Sequence, residues 1–370
     1  MTLRSAAANA RPRTSREWLD TLFRLVLLPG IGPVRLRQLV GRHGSPEAAL
    51  RCDEPDVCAA RAALAEKPGL AGRIGRAITI VERLGILVLT LNDAAYPERL
   101  RHLRDPPYCL FARGNLDLLA RPVVGVVGTR KHTEYGGEMA RMLAGGLSRA
   151  GVVVVSGLAR GIDGLAHAAA LAGGTVAVLG CGVDVVYPRE HARLQARIAR
   201  QGLLLSEFLP GEPPDTYRFP QRNRLIAALA YAVVVVEAGA KSGALSTARH
   251  AADLGRDIMA VPGRADRATS VGTNALIRDG ARLVTGPGDV LEELGLPAKP
   301  ERAGGRSPSD SGRGLPADPL WRALRDEPRL LDDIAASAGL DPGRALAGLL
   351  ALELEGHARQ LPGRRFARVR

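Results

Sequence analysis

The strongest constraint on the fold is an alternation that begins at Pro122. Short apolar runs at residues 123–127, 152–155, 175–179, 203–206, 232–236, 258–261 and 282–284 are separated by helical patterns, among them 135–150, 162–172, 192–201 and 244–254. A strand that is apolar on both faces must be covered on both faces. Intervening helices supply that cover and run successive strands parallel. The expectation is an α/β chain with a doubly wound, mostly parallel sheet. Ligands of such sheets bind beyond the carboxyl ends of the strands, so the residues that follow each strand carry the functional signal.

Those residues are unusually alike. After the first strand comes Gly128-Thr129-Arg130-Lys131, and after the second Ser156-Gly157-Leu-Ala-Arg160-Gly161-Ile-Asp163. The third is followed by Gly180-Cys-Gly182-Val-Asp184 and Tyr187-Pro188-Arg189, the fourth by Phe219-Pro-Gln-Arg222-Asn223-Arg224. Beyond the fifth stand Glu237, Lys241, Ser242 and Gly243, and beyond the sixth Pro262-Gly263-Arg264. A glycine turn into a helix aims free N–H groups and the helix dipole at one point. The 156–163 segment is therefore expected to hold an anion, most simply phosphate, on its amides, the Ser156 hydroxyl and Arg160.

Charge supports the same reading. The whole chain carries +13, whereas residues 122–296 hold 19 basic against 16 acidic residues. Cations in that stretch are concentrated after strands rather than abundant. A dinucleotide fingerprint needs a third glycine that Gly125-Val-Val-Gly128 lacks. Several phosphate contacts with an aromatic, Phe219, suit a run of unpaired nucleotides whose base faces are open to stacking.

Enzymatic readings were weighed. Ser156, Asp163 and His167 lie within twelve residues, but a nucleophile relay needs the histidine to reach the serine with the acid behind it. Asp163 on the first helical turn reads better as a cap, and His167 as packing. Asp163, Asp184 and Glu237 all fall near strand ends, where they read as partners of arginines rather than metal ligands. A Rossmann-like nucleotide phosphoribohydrolase acting on nucleoside monophosphates is the alternative. It needs an acid in the helix after residue 243, yet none precedes Asp253. Glu237 is expected to organise Lys241 or a loop N–H.

Outside the sheet region, residues 15–84 read as helical. Residues 27–39 have the form of a helix–hairpin–helix with Arg35 and Arg37, or of a plain αα-corner. Residues 1–14 read as a frayed basic tail and 299–318, rich in Gly, Pro and Ser, as a linker. Residues 319–370 have helix–turn–helix spacing with Gly339 at the turn and a following wing. Cys52, Cys58, Cys109 and Cys181 form no CxxC pair or zinc spacing, which suits reduced cytosolic thiols. No apolar run reaches the roughly 20 residues of a membrane span, and the N-terminus lacks a secretory h-region. A cytoplasmic protein with no cofactor or metal is expected.

Together these motifs resemble the DNA-processing protein A (DprA/Smf) family: Gly-Thr-Arg at 128–130, Ser-Gly-Leu-Ala-Arg-Gly-Ile-Asp at 156–163 with His167, Gly-Cys-Gly-Val-Asp-x-x-Tyr-Pro at 180–188, Phe-Pro-Gln-Arg-Asn-Arg at 219–224 and Val-Pro-Gly at 261–263. The resemblance covers Leu27 to about Leu294. It implies an N-terminal helical domain of the SAM type over 15–84, an extended Rossmann fold over 85–298 and a winged-helix tail. It also implies a homodimer that binds single-stranded DNA, protects it and helps load the RecA recombinase, with single-strand-binding protein as a further partner. Carried onto this chain, Arg130 and Arg189 would grip DNA. Arg160, Arg222, Arg224 and Lys241 would line the pocket, with Phe219 against a base. Gly128, Thr129, Ser156, Gly157, Gly161, Asn223, Ser242 and Gly243 would shape it. Residues 227–230, Ala-Ala-Leu-Ala, depart from a Gly-Leu-Ser-like turn and leave the local loop geometry open. Leu276 and Ile277 are adjacent apolar residues for a dimer surface, or else cover for the sheet.

Overall fold

The computed structural model describes residues 15–296, 319–354, 357–361 and 363–368. The tail at 1–14 and almost all of the 299–318 linker segment lie outside the described residues. Two compact units are divided after Lys299.

The first unit opens with five helices, α1 (Arg16–Val26), α2 (Pro33–His43), α3 (Pro46–Arg51), α4 (Pro55–Ala65) and α5 (Leu70–Leu84). Local chemistry sets their ends. The Ser15 and Ser45 side chains accept backbone N–H groups at the heads of α1 and α3, and proline occupies the first turn of α2, α3 and α4. Gly44 and Gly85 close α2 and α5 in the left-handed conformation. There follow β1 (Leu87–Thr90), α6 (Glu98–Arg101), β2 (Cys109–Gly114), β3 (Val123–Val127), α7 (Glu134–Arg149), β4 (Val153–Ser156) and α8 (Ile162–Ala170). Next come β5 (Thr175–Val178), α9 (Ala192–Gln201), β6 (Leu203–Ser206), α10 (Arg218–Leu229), β7 (Ala232–Val235) and α11 (Ala244–Asp253). The unit ends with β8 (Asp257–Ala260), α12 (Val271–Arg278), β9 (Arg282–Leu283) and α13 (Pro287–Glu293).

All nine strands join one sheet in the order β1-β2-β6-β5-β4-β3-β7-β8-β9. From β6 to β9 the pairs are parallel, and β1 and β2 add an antiparallel edge. The doubly wound expectation holds, with strands within a residue or two of their expected positions. Side chains alternate between two cores, as the period of a strand requires. Val123, Val127, Val153, Val155, Val233 and Val235 enter one core. Val124, Val126, Val154 and Val234 enter the other, under α7, α8 and α13. The first core runs on into α1–α5, where Phe23 meets Phe111 edge-on at 5.7 Å between ring centroids.

Two elements differ from expectation. The apolar run of β2 is short and bracketed by turn signals, so only the sheet reveals it as a strand. Residues 219–224, expected as a loop after the fourth strand, belong to helix α10. Its first turn has no side-chain cap. Burial of Leu225, Ile226, Ala227, Ala228 and Leu229 stabilises it instead. Residues 227–229 are thus the buried end of a helix, with Ala230 as its cap, rather than a turn.

The second unit contains α14 (Pro319–Ala323), β10 (Arg329–Leu330), α15 (Leu331–Ala338), α16 (Pro342–Leu354), β11 (Ala358–Leu361) and β12 (Arg365–Arg368). Gly339 takes the left-handed conformation at the α15–α16 turn. The three strands pair antiparallel in the order β10-β12-β11 around a core containing Leu331, Ile334, Leu349 and Phe366. This is a winged helix.

Candidate nucleic-acid interface

The parallel strand order reverses between β3 and β7, and a cleft of about 550 Å³ opens at the carboxyl ends of that pair. Its walls bring together Gly128, Thr129 and Arg130 after β3, Phe219, Arg222 and Asn223 on α10, and Lys241, Ser242 and Gly243 before α11. An adjoining cavity of about 170 Å³ shares Arg130, Phe219 and Arg222, and adds Gly157 and Arg160. Arg160 and Arg189 line a further hollow next to Tyr187.

Charge at the rim is open. Arg130, Arg189 and Lys241 are exposed, and none makes an ion pair among the described residues. Arg160 is bonded to Glu190, but both are exposed, and such a pair holds little energy. The Arg130 guanidinium lies 5.6 Å from the Phe219 ring centre. Phe219 stacks on Tyr187 at 5.4 Å with 25° between planes. Arg130, Phe219 and Tyr187 form a cation–ring–ring arrangement suited to base faces. Tyr187 was not singled out as a site residue. The signal was present in its place just after the third parallel strand, next to Arg189.

The loop from Ser156 to Gly161 departs most from expectation. Its amides are largely used within the chain. Gly157 N and Ala159 N donate to the Asp163 carboxylate at 3.1 and 3.3 Å, Leu158 N to His167 Nε2 at 3.3 Å, and Ile162 N to the Thr129 carbonyl at 3.2 Å. The anion at this turn is therefore Asp163 itself. Its pKa is raised by burial, against the opposing pull of Arg222 and the two amides. Ser156 is fully buried and donates to the Val126 carbonyl at 2.7 Å, so its hydroxyl hydrogen is not offered to the cleft. The glycines serve chain-to-chain approach rather than ligand approach. A Cβ on Gly161, at φ +77°, would lie 2.3 Å from the Thr129 carbonyl oxygen, and one on Gly157 would lie 2.5 Å from the Arg222 guanidinium. Gly128 likewise seats Ile162.

Two expected phosphate ligands turn inward. Arg222 is 4% exposed and donates to the carbonyls of Gly157 and Val178, tying the loop to β5. Burial lowers its pKa to about 10, partly offset by Asp163, so it remains charged at neutral pH. Arg224 does not line the cleft. It bonds Glu207 and the Asp105 carbonyl on the other side of α10. Residues two apart on a helix point in different directions, which a reading of this segment as loop could not register. Glu237 takes the loop-organising role. Its backbone carbonyl accepts from Thr129 N at 2.7 Å and its carboxylate from Thr133 N at 2.9 Å, which holds the turn that carries Arg130.

No Ser–His–Asp relay forms from Ser156, Asp163 and His167. His167 Nδ1 meets Thr175 Oγ1 at 2.7 Å, and its Nε2 accepts from the loop. Asp163 is the one acid lining the cleft. Elsewhere His43, Cys52 and Glu54 come together. Glu54 is already bonded to Arg35, Arg42 and His43, so positive charge stands where a metal ion would. Arg35 of the α1–α2 hairpin is held by Glu54 and Asp56. Leu276 and Ile277 are half-buried on α12, and Leu276 packs on the first core. Among the described residues, no helix is long and apolar enough to cross a membrane.

The family model for DNA recombination-mediator protein A matches residues 87–295, and that for the DprA winged helix domain matches 305–364. Protein Smf of Escherichia coli is 42% identical over 284 residues, covering 75% of this chain and 76% of its own length. The X-ray structure of DNA processing protein A from Streptococcus pneumoniae superposes with a TM-score of 0.64 at 35% identity, over 74% of this chain and 97% of that one. The same protein from Helicobacter pylori, solved for its single-stranded DNA binding mode, superposes at 0.52 with 34% identity, over 56% and 95%. With its sheet, cleft and winged helix matched in this way, the chain belongs to the DprA/Smf family of DNA-processing proteins.

Proposed function

We propose that this protein captures single-stranded DNA in the cleft at the β3–β7 reversal, protects it and delivers it to the RecA recombinase. It does so as a homodimer, without cleaving a bond. The observation that carries the reading is the set of unpaired rim cations, Arg130, Arg189 and Lys241, beside the stacked Phe219 and Tyr187. Arg160 would join them by exchanging Glu190 for phosphate. Thr129, Asn223 and Ser242 offer polar atoms around them, and Arg222 braces the loop from behind. Phosphates take the cations while unpaired bases take the rings. Duplex DNA hides its base faces and fits less well.

The test is fluorescence anisotropy with labelled oligo-dT, using matched duplex and a nucleoside monophosphate as competitors. Neutralising about four to six phosphates predicts that log affinity falls against log salt with a slope of roughly −3 to −4. Arg130→Ala should weaken all sequences alike and flatten that slope by about 0.7. A flat salt response, or preference for the monophosphate with release of its base, would overturn the reading. For the dimer, light scattering of the Leu276→Glu/Ile277→Glu variant should report a halved mass. Unchanged mass in a folded variant removes that surface.

A further inference from the structure

The loop between β6 and α10 walls two clefts at once. Thr216 lines the cleft at the strand reversal, whereas Pro213 and Arg218 line a groove of about 320 Å³ between this loop and α5. The groove has an apolar floor that includes Leu27, Ala77, Ile80 and Leu209. Around it stand Arg73, Arg76 and Arg218 against one acid, Glu212. Glu212 bridges Arg73 at 3.2 Å and Arg218 at 2.7 Å. Among the described residues no ion pair engages Arg76, which is exposed.

The wall is built rather than loose. Gly211 N donates to Asp184 at 2.8 Å, Gly182 N to the Glu212 carbonyl at 3.0 Å, and Glu212 N to the Leu209 carbonyl at 3.1 Å. Between the residues that face the two clefts stands Tyr217, 60% exposed, with the Arg218 guanidinium 5.8 Å from its ring centre. Packing alone does not call for three cations around one carboxylate on an apolar floor. A nucleotide does: its base face covers the floor while guanidinium forks take its phosphates.

We propose that this groove is a second single-stranded-DNA subsite. A strand leaving the first cleft passes Tyr217 and lays a nucleotide against α5. Its phosphates displace Glu212 from Arg73 and Arg218 and engage Arg76. The proposal rests on the first cleft being a single-stranded-DNA site. It gives the helical segment a nucleic-acid contact through α5, not through the α1–α2 hairpin, whose Arg35 is already held by two acids.

Anisotropy of the full chain with a dT oligomer of about five nucleotides and one of about 20 separates the two sites. Arg73→Ala/Arg76→Ala changes exposed side chains, so the fold should persist. Binding of the long oligomer should weaken about tenfold and its salt slope flatten by about 1.4, with the short oligomer unchanged. Glu212→Gln removes the competing carboxylate and should strengthen the long oligomer selectively. An unaltered long oligomer, or equal losses at both lengths, overturns the subsite while leaving the first cleft standing. Failure of the wild type to bind either oligomer removes the first cleft, and this proposal with it.

Discussion

Replacing His167 by glutamine should change how the stability of the first unit depends on pH. The ring is fully buried. Thr175 Oγ1 donates to the Val154 carbonyl at 2.8 Å, so His167 Nδ1–H must donate to Thr175, leaving Nε2 as the acceptor for Leu158 N. A second proton on the ring would break the bond that holds the Ser156–Gly161 loop. Burial, and then the nearby His191 and Arg222, lower the pKa of His167 from 6.5 to about 3. The sign follows from the proton count. Below pH 6.5 the unfolded chain takes up a proton that the folded chain refuses. The stabilisation is therefore complete above the unfolded value and is lost as pH falls through the window towards 3. Integrated from about pH 7.5 to about pH 5, the loss is about 2 kcal/mol. Urea unfolding followed by far-UV circular dichroism, for wild type and His167→Gln, measures it. Asp163 and Glu207, both raised by burial, act in the opposite direction. Both are present in each protein and cancel in the difference. The stability gap between wild type and variant should narrow by about 2 kcal/mol across that range. Parallel pH curves would refute the buried neutral ring.

Three further outcomes follow from the site's geometry. Ser156→Ala should cost about 1–3 kcal/mol of stability through its buried hydrogen bond and leave oligo-dT affinity within about twofold; a tenfold loss would make the hydroxyl a ligand. Gly161→Ala, which forces a Cβ against the Thr129 carbonyl at positive φ, should cost at least about 3 kcal/mol in denaturant titration. A cost below about 1 kcal/mol would mean the two loops do not depend on this approach. Among the thiols, Cys109 and Cys181 are buried, and burial raises both pKa values, Cys181 to about 11. A thiol reagent at neutral pH should label half-buried Cys52 and Cys58 first, read by peptide mass spectrometry; early labelling of Cys109 contradicts the fold around β2.

Much of this protein is legible along the chain because its strongest signals are local. Valine runs alternate with helical patterns, so strands β3 to β8, the doubly wound sheet and the Gly339 turn of the winged helix follow from period and turn chemistry alone. The cations after successive strands converge because parallel strands all end on one edge. Arg130, Arg189 and Lys241 do stand at that edge. What needed tertiary structure is which polar groups remain free. Ser156 and Arg222 are consumed by carbonyls 30 and 65 residues away in sequence. Arg224 turns to Glu207 because its segment is a helix, and the amides expected for phosphate were taken by Asp163 only six or fewer residues on. The Tyr187–Phe219 stack joins two loops that share no local pattern. Sequence by itself determined where donors and cations gather, since backbone periodicity acts residue by residue. Only the folded structure decided which of them meet a partner inside the chain and which are left for DNA, because burying a polar group demands a partner and that partner is chosen across the fold.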